Sequence, residues 1–253
     1  IEQVEGSDSI KVFGRGEMHI AVLIETMRRE GFELQISQPE VILQEIDGVK
    51  QEPIENAVIN VPDAMAGSVI EALGKRKGTM KNMKSENGNT SLEFEVPTRG
   101  LLGFRGVFLL LTRGEGTLYH SFDHYAPYVG EIEKRTVGSM ISSENGATMA
   151  YSLWKLQERG PLFVKPATEV YEGMIIGEHN QGTDLSVNPI KNKKLSNVRS
   201  SGADEALNLT PIVPMTLESA IEYIKDDEYA EITPTRVRLR KKHLNEVDRK
   251  RAR

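Results

Sequence analysis

The stretch from residue 56 to residue 123 constrains this chain most, because it reads as one β-α-β-β-α-β unit of the ferredoxin-like kind. Ala57, Ile59 and Val61 alternate with polar positions as a half-buried strand does, and Pro62-Asp63 ends that strand and offers a helix cap. In the helix that follows, Ala66, Val69, Ile70 and Leu73 fall at i, i+3, i+4 and i+7, and Gly78 stands where a left-handed terminal residue is wanted. Residues 79–84 and 91–96 flank Glu86-Asn87-Gly88-Asn89, and Asn-Gly between extended runs signals a hairpin. The spacing then predicts a helix over 101–111, apolar nearly all round and so packed on the sheet and on a neighbouring domain. Residues 118–123 form the closing strand.

The flanks read differently. Ile10, Val12 and Phe13 suggest a short strand, Ile20, Leu23, Ile24 and Met27 one face of a helix, and Phe32, Leu34 and Ile36 a second strand. That is half of a similar unit, and its apolar side is expected to be incompletely covered. Beyond Pro127 the pattern turns to short strands with turn signals. A hairpin is expected from 140–142 and 147–153 around Asn145-Gly146, and further strands near 174–179. Residues 180–202 read as one long loop, Thr216 as the cap of a helix bearing Leu217, Ala220, Ile221 and Ile224, and the end as a charged tail. The expected fold class is α+β in three parts: 1–47 a strand-helix-strand, 48–128 the ferredoxin-like unit, and 129–253 a β-rich, barrel-like domain.

Charge is segregated far more than the net of −5 suggests. Residues 188–202 hold Lys191, Lys193, Lys194 and Arg199 with no acid, a charge of +4, and residues 236–253 hold nine bases against Glu246 and Asp248, or +7. The rest of the chain is correspondingly acidic, and a field polarised in this way steers association with polyanions. Lys75, Arg76, Lys77, Lys81 and Lys84 make a third cluster, and Arg236, Arg238 and Arg240 alternate along a predicted strand whose other face is Val237 and Leu239. Each cluster alone could be a solvated surface; together they favour phosphate contacts on nucleic acid, made by Lys75, Arg76, Lys77, Lys191, Lys193, Lys194, Arg199, Arg236, Arg238 and Arg240.

Other chemistry finds less support. Gly14-Arg15-Gly16 is a tight turn and not a phosphate loop, since Gly, four residues, then Gly-Lys-Ser/Thr occurs nowhere in the chain. His120 and His124 are four apart but lie on and just after a strand with no third ligand, so no metal is expected. Base stacking on the sheet face is opposed by Glu93 and Glu95 on the open side of one central strand. Cysteine is absent, and no run is long or apolar enough to span a membrane, so a cytoplasmic protein is expected. Two other classes stay open at this level: a regulatory module whose ferredoxin-like units pair to bind a small ligand, and an enzyme with its site between domains.

Three runs carry a family resemblance: Gly14-Arg15-Gly16-Glu17-Met18-His19-Ile20, then Pro39-Glu40-Val41, then Phe122-Asp123-His124-Tyr125. They resemble the C-terminal half of translational GTPases related to elongation factor G and LepA. The run from Pro97-Thr98-Arg99-Gly100 to Leu101-Leu102-Gly103-Phe104, with everything after Gly130, is similar to the BipA/TypA family within that group. The resemblance implies that GTPase and β-barrel domains lie ahead of Ile1, with GTP and magnesium bound there and no cofactor in this portion. It implies that 1–47 is the second half of the third domain and 48–128 the fifth. It also implies that the ribosome, ribosomal RNA and tRNA are the partners, with the long basic loop approaching tRNA.

Overall fold

A computed structural model describes residues 1–4, 6, 8–132, 135–192 and 208–252. They form an α+β protein of two compact units, Ile1–Gln38 with Arg135–Arg253, and Pro39–Lys134. In chain order the first unit opens with β1 (Glu2–Gln3), β2 (Ile10–Lys11), α1 (Glu17–Arg29) and β3 (Leu34–Ile36). The second holds β4 (Gln44–Ile46), β5 (Val49–Pro62), α2 (Asp63–Lys75), β6 (Thr79–Glu86), β7 (Asn89–Pro97), α3 (Thr98–Leu101), α4 (Phe104–Leu111) and β8 (Thr117–Pro127). The first unit then resumes with β9 (Gly138–Ser142), β10 (Gly146–Ala147), α5 (Ala150–Leu156), β11 (Glu169–Val170), β12 (Met174–His179) and β13 (Leu185–Val187). It ends with α6 (Leu217–Tyr223), β14 (Glu228–Ile232), β15 (Val237–Lys241) and α7 (Glu246–Arg251).

In the unit Pro39–Lys134 the sheet runs β8-β5-β7-β6, antiparallel throughout, with β4 as a short hairpin partner of β5. Alternation sets its faces. Ala57, Ile59 and Val61 of β5 share one core with Leu92, Phe94 and Val96 of β7, with Ala66, Val69 and Leu73 of α2, and with Phe104 and Phe108 of α4. Both helices therefore cover the same face of the sheet, and each large side chain so buried contributes roughly 1.5–3 kcal/mol. The Asn-Gly hairpin forms as the sequence indicates: Asn87 and Gly88 have φ of 52° and 80°, both positive as a type I′ turn requires.

Two local expectations are corrected here. Helix α2 ends on hydrogen bonds from Gly78 N to the Leu73 carbonyl (2.8 Å) and from Lys77 N to the Gly74 carbonyl (3.0 Å), which makes Lys77, not Gly78, the left-handed residue, at φ 65°. Gly78 serves packing instead: a Cβ there would lie 3.0 Å from the Leu73 carbonyl and 3.3 Å from Phe94 and Val96. A lysine in the left-handed region costs about 1 kcal/mol. Lys77→Gly relieves that cost but gives the unfolded chain more freedom, so a net gain of about 0.5 kcal/mol is expected in urea unfolding, with the slope unchanged. The helix expected over 101–111 is broken, because Gly103 sits at φ 65° and separates α3 from α4. Leu101, Phe104 and Phe108 are buried, whereas Val107, Leu109 and Leu110 are exposed.

In the other unit a six-stranded sheet runs β13-β9-β12-β15-β14-β3, with β13 parallel to β9 and the remaining pairs antiparallel. The sheet is covered on both faces. Ile141, Ile175 and Leu239 pack with Leu217, Ala220 and Ile221 of α6, while Met140, Met174 and Ile176 pack on the opposite side with Leu153, Leu162 and Val164. Thr216 caps α6 as read from sequence, its Oγ1 accepting from Ser219 N at 3.2 Å.

The hairpin expected around Asn145-Gly146 does not form. β9 pairs with β12 and β13, β10 with β11, and residues from Ala150 onward are helical, burying Ser152 and Leu153. Within the expected long loop, residues 185–187 are strand β13, held against β9. The amino-terminal segment is not left uncovered along its whole length either. β3 completes the sheet edge beside β14, and Ala21 and Ile24 of α1 enter the core that α6 shares. An open edge strand is an unsatisfied row of donors and acceptors, and β3 meets that demand. Of the apolar residues expected on that side, Ile10, Phe13, Leu23 and Phe32 remain exposed.

Candidate nucleic-acid interface

Around the C-terminus of α2 the three bases have different fates. Lys75 pairs with Glu71 one turn back at 2.7 Å, both side chains largely exposed, and this lysine holds the Glu71 carboxyl below its ordinary range. Arg76 is buried: its Nη1 donates to the carbonyls of Gly100 and Leu102, each at 2.9 Å, and its guanidinium lies 5.2 Å from the Phe104 ring centre. It fastens α2 to the α3–α4 turn and does not face solvent. Lys77 is exposed on its strained backbone. An exposed helical pair such as Lys75–Glu71 is screened by water and salt and contributes little, so it is no barrier to exchange for a phosphate.

On β15 the alternation of the sequence is kept. Leu239 points inward and Arg238 and Arg240 outward, half-buried, with Arg236 exposed just ahead of the strand. β14 places Glu231 directly opposite Arg238, and the carboxylate lies 3.6 Å from Arg238 Nε and 3.7 Å from Arg240 Nη1 while accepting from the Tyr171 hydroxyl at 2.6 Å. Burial, and then the Glu231 acceptor, push the Tyr171 hydroxyl well above its ordinary range, so it stays a donor. Two guanidinium groups thus share one acid, a fixed positive face of reduced charge. Lys241, which the sequence reading left in the tail, takes the inward position after Leu239 and is buried against Glu228 and Asp184. A charged residue two places after an inward leucine is the signal that could have shown it.

Lys191 is exposed, and Lys193, Lys194 and Arg199 lie outside the described residues. The approaches to that segment are well defined. Ser152 Oγ donates to the Lys191 carbonyl at 2.6 Å, and Met149 N to the Pro189 carbonyl at 2.9 Å. On the far side Gln157 Nε2 donates to the Asn208 carbonyl at 3.0 Å, and its Oε1 accepts from Thr210 N at 2.9 Å. Both stems of the basic segment are therefore tied to one stretch, α5 and the 3-10 turn Gln157–Arg159 that continues it. Sequence reasoning missed α5 altogether, reading its residues as a strand.

His120 meets the Glu55 carboxylate, which holds Glu55 below its ordinary range against the opposing effect of burial. Among the described residues no group of three or more histidines and acids could hold a metal ion, and no helix is long and apolar enough to cross a membrane.

Residues 49–136 match the family described as elongation factor G C-terminus, which sets the class of the central unit. Residues 137–246 match the TypA/BipA C-terminal domain. The chain belongs to the BipA/TypA family, of which it carries the C-terminal portion. It is 51% identical over 254 aligned residues to the large ribosomal subunit assembly factor BipA of Escherichia coli K12, and 49% identical to that of Bacillus subtilis 168. Each alignment takes in 100% of this chain and 42% of the relative, so the chain spans less than half of the proteins it matches.

Proposed function

We propose that this chain is the ribosome-binding C-terminal portion of a translational GTPase, contacting ribosomal RNA and tRNA through its basic clusters. The observation that carries the reading is the identity of half the residues, along the whole chain, with proteins named for assembly of the large ribosomal subunit. The residues put forward are Lys191, Lys193, Lys194 and Arg199 on the segment borne by α5, Arg236, Arg238 and Arg240 along β15, and Lys75 and Lys77 at the end of α2. Arg76 supports that helix end from inside. The unit Pro39–Lys134 is read as ferredoxin-like, a reading supported by its β8-β5-β7-β6 order and by two helices on one face. A cytoplasmic location goes with the proposed ribosomal partner.

Cosedimentation with large ribosomal subunits across a salt series tests the proposal. Each phosphate neutralised releases roughly 0.7–0.9 of a counterion. Changing Lys191, Lys193, Lys194 and Arg199 together to alanine should therefore make the log-log slope shallower by about 3 at an unchanged melting temperature. An unchanged slope would move the contact to the β15 arginines, and absence of binding at any salt would reject the proposal. GTP belongs, by family, to an amino-terminal domain, and the P-loop pattern is absent from the 253 residues. Calorimetric titration of this chain with GTP and magnesium should therefore give no saturable heat.

A further inference from the structure

We propose that Tyr151 and Trp154 form a stacking site for an unpaired RNA base, with Lys155 and Lys191 placed for its phosphates; the inference rests on the RNA-binding reading above. Helix α5 buries Ser152 and Leu153 and turns Trp154, the single tryptophan of the chain, to solvent at 36% exposure. A tryptophan brings a large apolar area that folding ordinarily removes from water, and here its neighbour is a second ring instead of a core. The Tyr151 and Trp154 centroids are 6.4 Å apart with planes inclined by only 24°, so the two rings lie as one stacked, offset aromatic pair. Lys155 Nζ lies over the Tyr151 ring, 4.6 Å from its centroid, which leaves the exposed Trp154 ring as the face for a base, and α5 carries no acid.

The setting supplies the complementary charge. Ser152, between the two aromatic residues, holds the Lys191 carbonyl, so the acid-free run of residues 188–202 enters at this helix. Aromatic faces beside lysines suit a base and its phosphate together, since every base has a π-face and stacking is tolerant of sequence. In a duplex those faces are already covered by neighbouring pairs, which restricts the site to unpaired nucleotides.

Trp154 is also the reporter. The chain is titrated with a single-stranded oligoadenylate of about ten nucleotides, within the range that such sites span, and with a duplex of equal length. The single strand should quench Trp154 emission saturably and the duplex should leave it unchanged. Trp154→Ala should weaken single-strand binding about tenfold to a hundredfold, and Trp154→Phe should recover most of that loss. Oligoadenylate binding with emission unchanged and with parental affinity in Trp154→Ala overturns the stacking site and leaves the broader reading standing. Failure of single-stranded RNA, duplex and ribosomal subunits alike to bind overturns both. A change of emission with intact large subunits but not with their RNA alone assigns the rings to a ribosomal protein, and also overturns the proposal.

Discussion

Replacing Glu228 with alanine should lower the stability of the unit that contains it by about 3–5 kcal/mol, the range for removing one partner from a buried ionic cluster. The carboxylate is fully buried and every contact made to it is a donor. Its Oε1 accepts from Lys241 Nζ (2.8 Å), Ser139 Oγ (2.8 Å) and Arg135 Nη2 (3.0 Å), and its Oε2 from Lys225 N (3.0 Å). Lys241 is itself buried, and Arg135 lies 3.8 Å from the Tyr223 ring centre with a side chain that is mostly enclosed. Without Glu228 two buried cations would depend largely on Asp184 and Asp227, which reach Lys241 at 2.7 and 2.9 Å. The exposed pair Lys250–Glu246 provides the contrast, since its loss should cost less than 1 kcal/mol. Hydrogen exchange of amides in β9, β12 and β15 measures the effect where it arises; a loss below 1 kcal/mol for Glu228→Ala would refute the account.

The same cluster sets a pH window. Burial alone would raise the Asp184 carboxyl, but the hydrogen bond and charge of Lys241, the Ser139 amide and the Arg135 charge together outweigh it and hold the pKa below the ordinary aspartate value. Its contribution is therefore complete above that value and is lost as pH falls through the lowered folded pKa. Burial would lower Lys241, but Glu228 and Asp184 outweigh it and the pKa lies above 10.5, so this contribution is complete below 10.5 and is lost as pH rises through the raised one. Glu178 opposes the acid limb, because burial raises its pKa and favours the protonated folded state.

Arg99→Ala is expected to cost a similar 3–5 kcal/mol in the unit Pro39–Lys134, since it strands a carboxylate of zero exposure, Glu52. Arg99 meets Glu52 through two guanidinium nitrogens, reaches the Gly130 carbonyl, and lies 4.3 Å from the Tyr128 ring centre, while Glu52 also accepts from Val129 N at 2.8 Å. The arrangement clamps the chain leaving β8 onto β5 and the start of α3. Arg99→Lys should recover only part of the loss, because an ammonium can supply neither the planar two-point contact nor the stacking. Urea unfolding followed by exchange of β5 and β8 amides provides the measurement; an Arg99→Lys variant as stable as the parent would show that charge alone matters there.

Helix α2, the strands around Asn87-Gly88 and the cap at Thr216 were legible in the sequence because each is set by neighbours within a few residues. Periodicity fixes which side chains share a face, Asn-Gly supplies the positive φ of the turn, and a threonine hydroxyl reaches an amide three residues on. Helix α5 was not legible, since seven residues hold barely two turns and Ala147 to Leu153 also alternate as a strand does. Of the candidate contacts, Lys75, Lys77 and Lys191 are surface bases as the sequence implied, whereas Arg76 turned inward on the carbonyls of Gly100 and Leu102. Local spacing cannot distinguish an arginine that will meet a distant turn from one that will meet water.

Charge segregation, the missing P-loop and the motifs of the family were determined by the sequence alone, because composition and short-range order need no folding to be read. Only the tertiary structure decided that β3 would complete the edge beside β14, that Lys241 would be buried by Glu228 and Asp184, and that α5 and the 3-10 turn after it would hold both stems of the basic segment beside a stacked tyrosine–tryptophan pair. These are pairings between residues far apart in the chain. Each is selected by which unsatisfied edge, buried charge or exposed ring the rest of the fold leaves available, and that is fixed only when the cores have formed.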